Sequence, residues 1–325
     1  MAYPIDKKLV VAVSSRAVFD MDEANGVFDD QGVEAYRKYQ LGRLDLPFER
    51  GVAFPFIRRL LRLNELYPDQ QPVEVVVLSR NSPDTGQRFF RSCRHYGLAI
   101  SRGAFLSGQS PHLYIGAFDA SLFLSAHRGD VVDATMRGFP AGLVLPSKVA
   151  DDDLDHELRI AFDFDGVLAN DEAEKVYVRV NSLQPYHDYE VANRATPHEP
   201  GPLKDLFTRI GFFQRLEAKR SLKEPSYVPA LRVSIVTARN APADERVVTT
   251  LRSWGFDAAE LFLMGGIEKK RVLDVLKPHI FFDDQLVHLE TAASSTPSVL
   301  IPFGIRNEEL RKAVIPGASD LELPE

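Results

Sequence analysis

The sequence predicts a doubly wound α/β fold built from two similar parallel-sheet units. Short apolar strands recur along it, amphipathic helical stretches separate them, and the second half repeats the first at a nearly fixed spacing. Strands are expected at residues 9–13, 73–78, 158–162, 231–236 and 279–282. Each is followed by polar or small residues, as in sheets covered on both faces, where the loops after the strands carry the chemistry. Helical periodicity at residues 86–96 and 242–254 supplies the alternation.

The repeat sets the organisation. Ser79 falls on Thr237, Tyr96 and Gly97 fall on Trp254 and Gly255, and residues 122–126 fall on 280–284, all at a spacing of 158 residues. Residues 11–16 fall on 160–165 at a spacing of 149. Two domains are therefore expected, 1–150 and 151–325, joined at the acidic run 151–157. A chain of 325 residues is long enough for both. Residues 169–227 interrupt the second unit between its first two strands and read as a mainly helical insertion, with helices at 172–180 and 203–219. Residues 316–325 read as a loosely held tail.

Composition narrows the partners. A net charge of −7 gives no electrostatic reason to expect nucleic acid or an anionic membrane. No run approaches the ~18 apolar residues of a membrane span, and residues 1–8 are too short and polar for a secretory leader. The single cysteine, Cys93, excludes an intrachain disulfide and reads as a small, half-buried helix residue beside Arg91 and Arg94, with no base near it in sequence. The expected location is the cytoplasm, a reducing compartment. A homo-oligomer is left open.

The repeat also separates scaffold from chemistry. Where the second half has Asp163 and Asp165, the first has Ser14 and Arg16; Asp283 and Asp284 correspond to Ser125 and Ala126. Strands recur while carboxylates do not, so an acidic metal site belongs to the second unit. Asp163 and Asp165, two apart at a strand end, project to one side, and Gly166 lets the backbone approach a phosphate. Crowded carboxylates repel unless a cation joins them. Mg²⁺, a hard ion, suits an oxygen site made from Asp163, Asp165, Asp283 and Asp284. Thr237 offers a hydroxyl at a strand end and Ala238 a backbone N–H before a helix, a phosphate-holding arrangement. Lys269 follows Gly265 and Gly266 in a loop before the Asp283 strand. Taken singly, each of these residues also fits a cap, a turn or a surface lysine. In the first half, Ser14, Arg16, Ser79, Arg80 and Asn81 either bind an anion or effector or satisfy strand-end backbone.

Taken in order, Asp163, Asp165, Gly166 and Leu168, then Thr237, Lys269 and the Asp283–Asp284 pair, resemble the four motifs of the haloacid dehalogenase superfamily over about half the chain. The resemblance implies two Rossmann-like units, the second a haloacid dehalogenase-like core whose insertion is a cap. It implies that Asp163 is the nucleophile and Asp165 the general acid/base. Gly166, Thr237 and Ala238 would hold the phosphoryl group, Lys269 would neutralise charge, and Asp283 or Asp284 would complete the Mg²⁺ site. Residues 11–20, 32–40, 78–86 and 278–285 are similar to the type I cytosolic 5′-nucleotidases, a likeness running from about residue 9 to 304. That family implies Mg²⁺-dependent hydrolysis of nucleoside 5′-monophosphates through an aspartyl phosphate. The run 163–167 is spelled differently from the animal members, so their base and sugar preference does not carry over. A sugar-phosphate phosphatase and a non-catalytic nucleotide-binding protein are the alternatives. In the cap, Tyr177, Phe207, Phe212, Phe213, Arg209 and Arg215 either meet a base or phosphate or form the cap's own core.

Overall fold

The computed structural model describes residues 3–180, 182–256 and 260–312; the tail expected at 316–325 lies outside them. The chain divides into two compact units. One runs from Met1 to Val144 and takes in the chain from Glu309, and the other spans Leu145–Glu308.

In the first unit the strands are β1 (Leu9–Val13), a short antiparallel pair β2 (Phe19–Asp20) and β3 (Glu49–Arg50), then β4 (Val73–Ser79), β5 (Arg102–Phe105), β6 (Leu122–Ser125) and β7 (Ala141–Val144). The main sheet runs β7-β6-β1-β4-β5, with every pair parallel. In the second unit β8 (Leu158–Phe162), β9 (Leu231–Thr237), β10 (Glu260–Leu263), β11 (Ile280–Asp283) and β12 (Ser298–Leu300) run β10-β9-β8-β11-β12, again parallel. In each unit the first strand lies between the second and the fourth. The direction of winding reverses beside it, and a crevice opens there at the carboxyl ends. These are two Rossmann-like units of one topology.

Strand burial follows from this packing. β1 and β4 are buried at every residue, because helices cover both faces of a parallel sheet. β4 and β9 run one residue beyond the expected ends, since Ser79 pairs with Phe105 and Thr237 with Leu263 on the neighbouring edge strands. β11 starts and ends one residue later than expected, its Asp283 pairing with Leu300. The repeat extends to backbone conformation. Gly97 and Gly255 end matching helices with φ of +68° and +69°, the left-handed region that glycine enters without strain.

The acidic run 151–157 lies inside the second unit, where Asp155 and Glu157 hold Arg159 at the start of β8. Phe162 stacks on Phe282 at 5.2 Å, packing β8 against β11. Cys93 is fully buried, and burial pushes its thiol up to about 12, so it is an inert core residue.

The insertion holds three helices, Glu172–Val180, Leu183–Ala192 and Lys204–Lys223. The middle one is additional to those expected, and the last runs four residues further. Phe207 stacks on Phe256 at 4.0 Å and meets Phe162 edge-on, and Phe213 is buried, so both pack rather than face a ligand. Arg209 pairs with Asp205 and Arg215 donates to the Gly255 carbonyl, while Phe212 is half exposed. Among the described residues no helix is long and apolar enough to cross a membrane.

Candidate active site

The carboxyl ends of β8, β9 and β11 gather the acidic residues. Asp163 follows β8 directly, and its N–H donates to the Phe282 carbonyl of β11, which fixes it at the winding reversal. One carboxylate oxygen accepts the Phe164 N–H at 2.7 Å. The other accepts from Lys269 Nζ at 2.8 Å. Lys269 precedes the helix Lys270–Leu276 and reaches back to Asp283 Oδ2 at 2.7 Å as well. One buried ammonium therefore joins two buried carboxylates.

Asp283 also accepts the Gln285 N–H at 2.8 Å and stands 3.2 Å from His288 Nδ1. Asp163, Asp283 and His288 each offer a ligand atom within 4.8 Å of the others, a group that could hold a metal ion. Asp284 is not among the carboxylates that Lys269 pairs with. Its Oδ1 is buried without a hydrogen bond, and its Oδ2 faces Gly166 so closely that a Cβ there would lie 2.5 Å away. Gly166 has φ +72°, so its lack of a side chain meets both a steric and a conformational demand.

The electrostatics follow from burial. Burial, with Asp283 and Asp165 nearby, outweighs the Lys269 ammonium and pushes Asp163 up to about 7. Asp284 is pushed well above the usual carboxylate range by burial and by the charges of Asp283 and Asp163. Asp283 goes the other way: against burial, Lys269 and His288 hold it below its ordinary value. Three buried carboxylates for one lysine leave excess negative charge that a divalent cation would neutralise. The orphaned Asp284 oxygen is the clearest sign that such an ion fits.

Asp165 lies apart from that group. Its two oxygens take a bidentate fork from Arg239, Nε at 2.7 Å and Nη2 at 2.7 Å. Arg239 is buried and also pairs through Nη1 with Glu190 of the cap helix Leu183–Ala192. Glu190 accepts from Arg246 at 3.0 Å, and Arg246 pairs with Glu172, which His198 Nδ1 meets at 3.0 Å. A chain of alternating charges thus runs from Asp165 into the cap. Thr237 is buried at the end of β9, where its hydroxyl accepts the Arg239 N–H at 3.3 Å. Tyr186 of the cap lies by the same guanidinium, 5.9 Å from ring centre to Arg239 Cζ, and packs on Tyr177.

The structure thus brings Asp163, Lys269, Asp283 and Asp284 together, with Gly166 against Asp284, and gives Asp165 to Arg239. Sequence reasoning missed His288, Arg239 and Glu190. A signal for Arg239 was present, since an Arg-Asn pair follows the second strand of both units, at Arg80-Asn81 and Arg239-Asn240. Nothing in the local pattern marked His288 or Glu190.

Comparison with known proteins gives a consistent picture. The family model described as 5′-nucleotidase matches residues 1–308. The chain is 33% identical over 290 residues to human cytosolic 5′-nucleotidase 1B; the match takes in 87% of this chain and 47% of that protein, so the chain spans about half the length of this relative. Among solved structures, an S. aureus MnaA structure with UDP aligns over 94% of this chain and 87% of its own, at 12% identity and a TM-score of 0.20, a likeness too slight to bear on fold or ligand.

Proposed function

This chain belongs to the 5′-nucleotidase family, and from that premise we propose that it hydrolyses nucleoside 5′-monophosphates to nucleoside and phosphate, with Asp163 as nucleophile. The observation that carries this reading is the Lys269 ammonium shared by Asp163 and Asp283 at the winding reversal, 2.8 and 2.7 Å away, beside the unpartnered oxygen of Asp284. A nucleoside monophosphate is the substrate class in the family's description. The cytoplasm is the proposed location, matching the word cytosolic in the human relative's name.

Mg²⁺ would be held by Asp163, Asp283 and Asp284, with His288 at its edge, and would supply positive charge to the phosphoryl oxygens. Asp163 attacks phosphorus with one oxygen while Lys269 stays bonded to the carboxylate and to the incoming phosphoryl group. Splitting hydrolysis into two displacements avoids the slow direct attack of water. Thr237 and the Ala238 N–H, with Gly166 opposite, receive phosphoryl oxygens at the ends of β9 and β8. Asp165 is the general acid/base, passing a proton to the departing 5′-oxygen and taking one from the water that opens the aspartyl phosphate. Arg239 sets its orientation through the bidentate contact.

The test is phosphate release from AMP, UMP, dTMP and a set of sugar phosphates, with Mg²⁺ and with EDTA. Turnover of the nucleotides that EDTA stops and Asp163→Asn abolishes is expected. Release from sugar phosphates alone would refute the substrate class, and undiminished turnover by Asp163→Asn would refute the nucleophile.

A further inference from the structure

The crevice of the first unit occupies the same place in its sheet as the candidate active site does in the second. β1 lies between β4 and β6 as β8 lies between β9 and β11. Ser14 and Arg16 stand where Asp163 and Asp165 stand, and Ser125 and Ala126 where Asp283 and Asp284 stand. Four carboxylates have become two hydroxyls, a methyl group and a guanidinium, so these positions lose their negative charge. The second unit's crevice needs a cation before it can accept a phosphate; the first unit's does not.

The strand ends are built as donors. Ser14 Oγ accepts the N–H groups of Ala17 at 3.3 Å and Ala126 at 3.4 Å, and Ser125 Oγ accepts that of His127 at 3.0 Å. Both hydroxyls accept through these contacts and keep their own O–H to give. Ser79 Oγ accepts from the Asn81 N–H at 3.2 Å and from the Ser15 hydroxyl at 3.0 Å, which fixes the loop after β4. Arg16 is half exposed and paired at 3.2 Å with Asp22, itself 83% exposed, a surface pair worth little and easily given up. The other charged groups nearby are already engaged: Arg80 with Asp130, and Arg37 with Asp84.

The resemblance includes a cover. The helical segment Asp22–Leu41, two helices broken at Gly32, follows the first strand of its unit, the chain position that the cap takes in the other. Its Tyr36 hydroxyl donates to Asn81 Oδ1 at 3.1 Å, as His187 of the cap meets Asn240 Oδ1 at 3.1 Å. Arg16 lies close enough to Tyr36 for its charge to act on the phenol. A polar crevice, a guanidinium and a helical cover therefore converge on one strand-end site.

We propose that the first unit binds a phosphate anion, free or as the phosphate of a small monoester, at the carboxyl ends of β1, β4 and β6 through Ser14, Ser125, Arg16 and Asn81. With serine in place of the nucleophilic aspartate, this site holds its ligand without turning it over. The binding is independent of the hydrolysis proposed above.

Equilibrium dialysis of the full chain against labelled inorganic phosphate, in EDTA, tests it. Wild type, Lys269→Ala and Arg16→Lys should each bind phosphate, and Arg16→Glu should bind at least tenfold more weakly with an unchanged circular dichroism spectrum. If Arg16→Glu loses its fold, Arg16→Gln serves as the same test with the same tenfold loss expected. No binding by wild type, equal binding by the charge-removed variant, or loss in Lys269→Ala with retention in Arg16→Glu would overturn the proposal. Labelled AMP in place of phosphate separates the sources: tighter binding that Arg16→Glu removes indicates a monoester, equal or weaker binding indicates free phosphate. Because EDTA prevents metal-assisted turnover, failure here leaves the hydrolysis assay unaffected, and the reverse.

Discussion

Replacing Glu190 by glutamine removes one charge from the middle of the buried chain that links Asp165 to the cap. Its side chain is 0% exposed and lies between Arg239 and Arg246, with His198 Nε2 at 3.4 Å. Burial alone would raise its carboxyl, but His198 and Arg239 prevail and hold it at about 2 against an ordinary 4.5. A depressed carboxylate stabilises the folded protein at pH values above the unfolded value, and that stability drains away as pH falls through the folded one. At about 1.4 kcal/mol per pH unit the difference is worth about 3 kcal/mol at pH 7 and about 1.4 kcal/mol at pH 3. Glu190→Gln should therefore cost about 3 kcal/mol at pH 7 and roughly half that at pH 3. Urea unfolding at the two pH values, with equal m-values for wild type and variant, measures this. An equal cost at both would refute the reasoning, since the loss would then come from packing rather than charge.

Four further outcomes follow from the site. Gly166→Ala, with its Cβ driven toward Asp284 at positive φ, should lower stability by about 1–3 kcal/mol in thermal unfolding and abolish turnover. Because burial pushes up both Asp163 and Asp284 when no ion is present, Mg²⁺ uptake should release protons, more per ion at pH 6 than at pH 8; calorimetry in buffers of different ionisation enthalpy reads this directly. Arg239→Lys, which replaces a bidentate fork with a point charge, should lower kcat about tenfold or more with a smaller change in KM. His288→Ala should weaken Mg²⁺ binding about tenfold in a titration of activity against Mg²⁺.

Much of the framework could be read before folding. The spacing of 158 residues not only matched β4 to β9 and β6 to β11; it also runs through Arg102 and Glu260, which begin the edge strands β5 and β10. Those strands were not anticipated because edge positions mix polar and apolar residues and so lack a buried strand's uniform signature. Asp163, Lys269, Asp283 and Asp284 were legible because strand ends are fixed by sequence order, and strand ends are where this topology gathers them. Asp165 shows the limit. Its backbone position is set by β8, but its side-chain partner is Arg239 in the loop after β9 and, behind it, Glu190 in a helix that periodicity did not reveal. For the aromatic residues of the cap the sequence leaves two readings open, and Phe256 stacked on Phe207 decides that ring for packing.

The manner in which the cap is attached bears on how selectivity can change. Its two roots are clamped, one by the Gly201 N–H on the Leu168 carbonyl at 2.7 Å, the other by buried Glu217 receiving the N–H groups of Ala230 and Leu231. Between those clamps the chain is a closed loop, and doubling a loop's length costs only about 0.6 kcal/mol. Helices could be traded in or out of that loop while the β8–β9 ladder stays in register. The stitches from Glu190 to Arg239 and Arg246 and from His187 to Asn240 are threads a grafted segment would have to supply. Evolution, or a designer, can therefore retailor the cap without reopening the cluster of Asp163, Lys269 and Asp283.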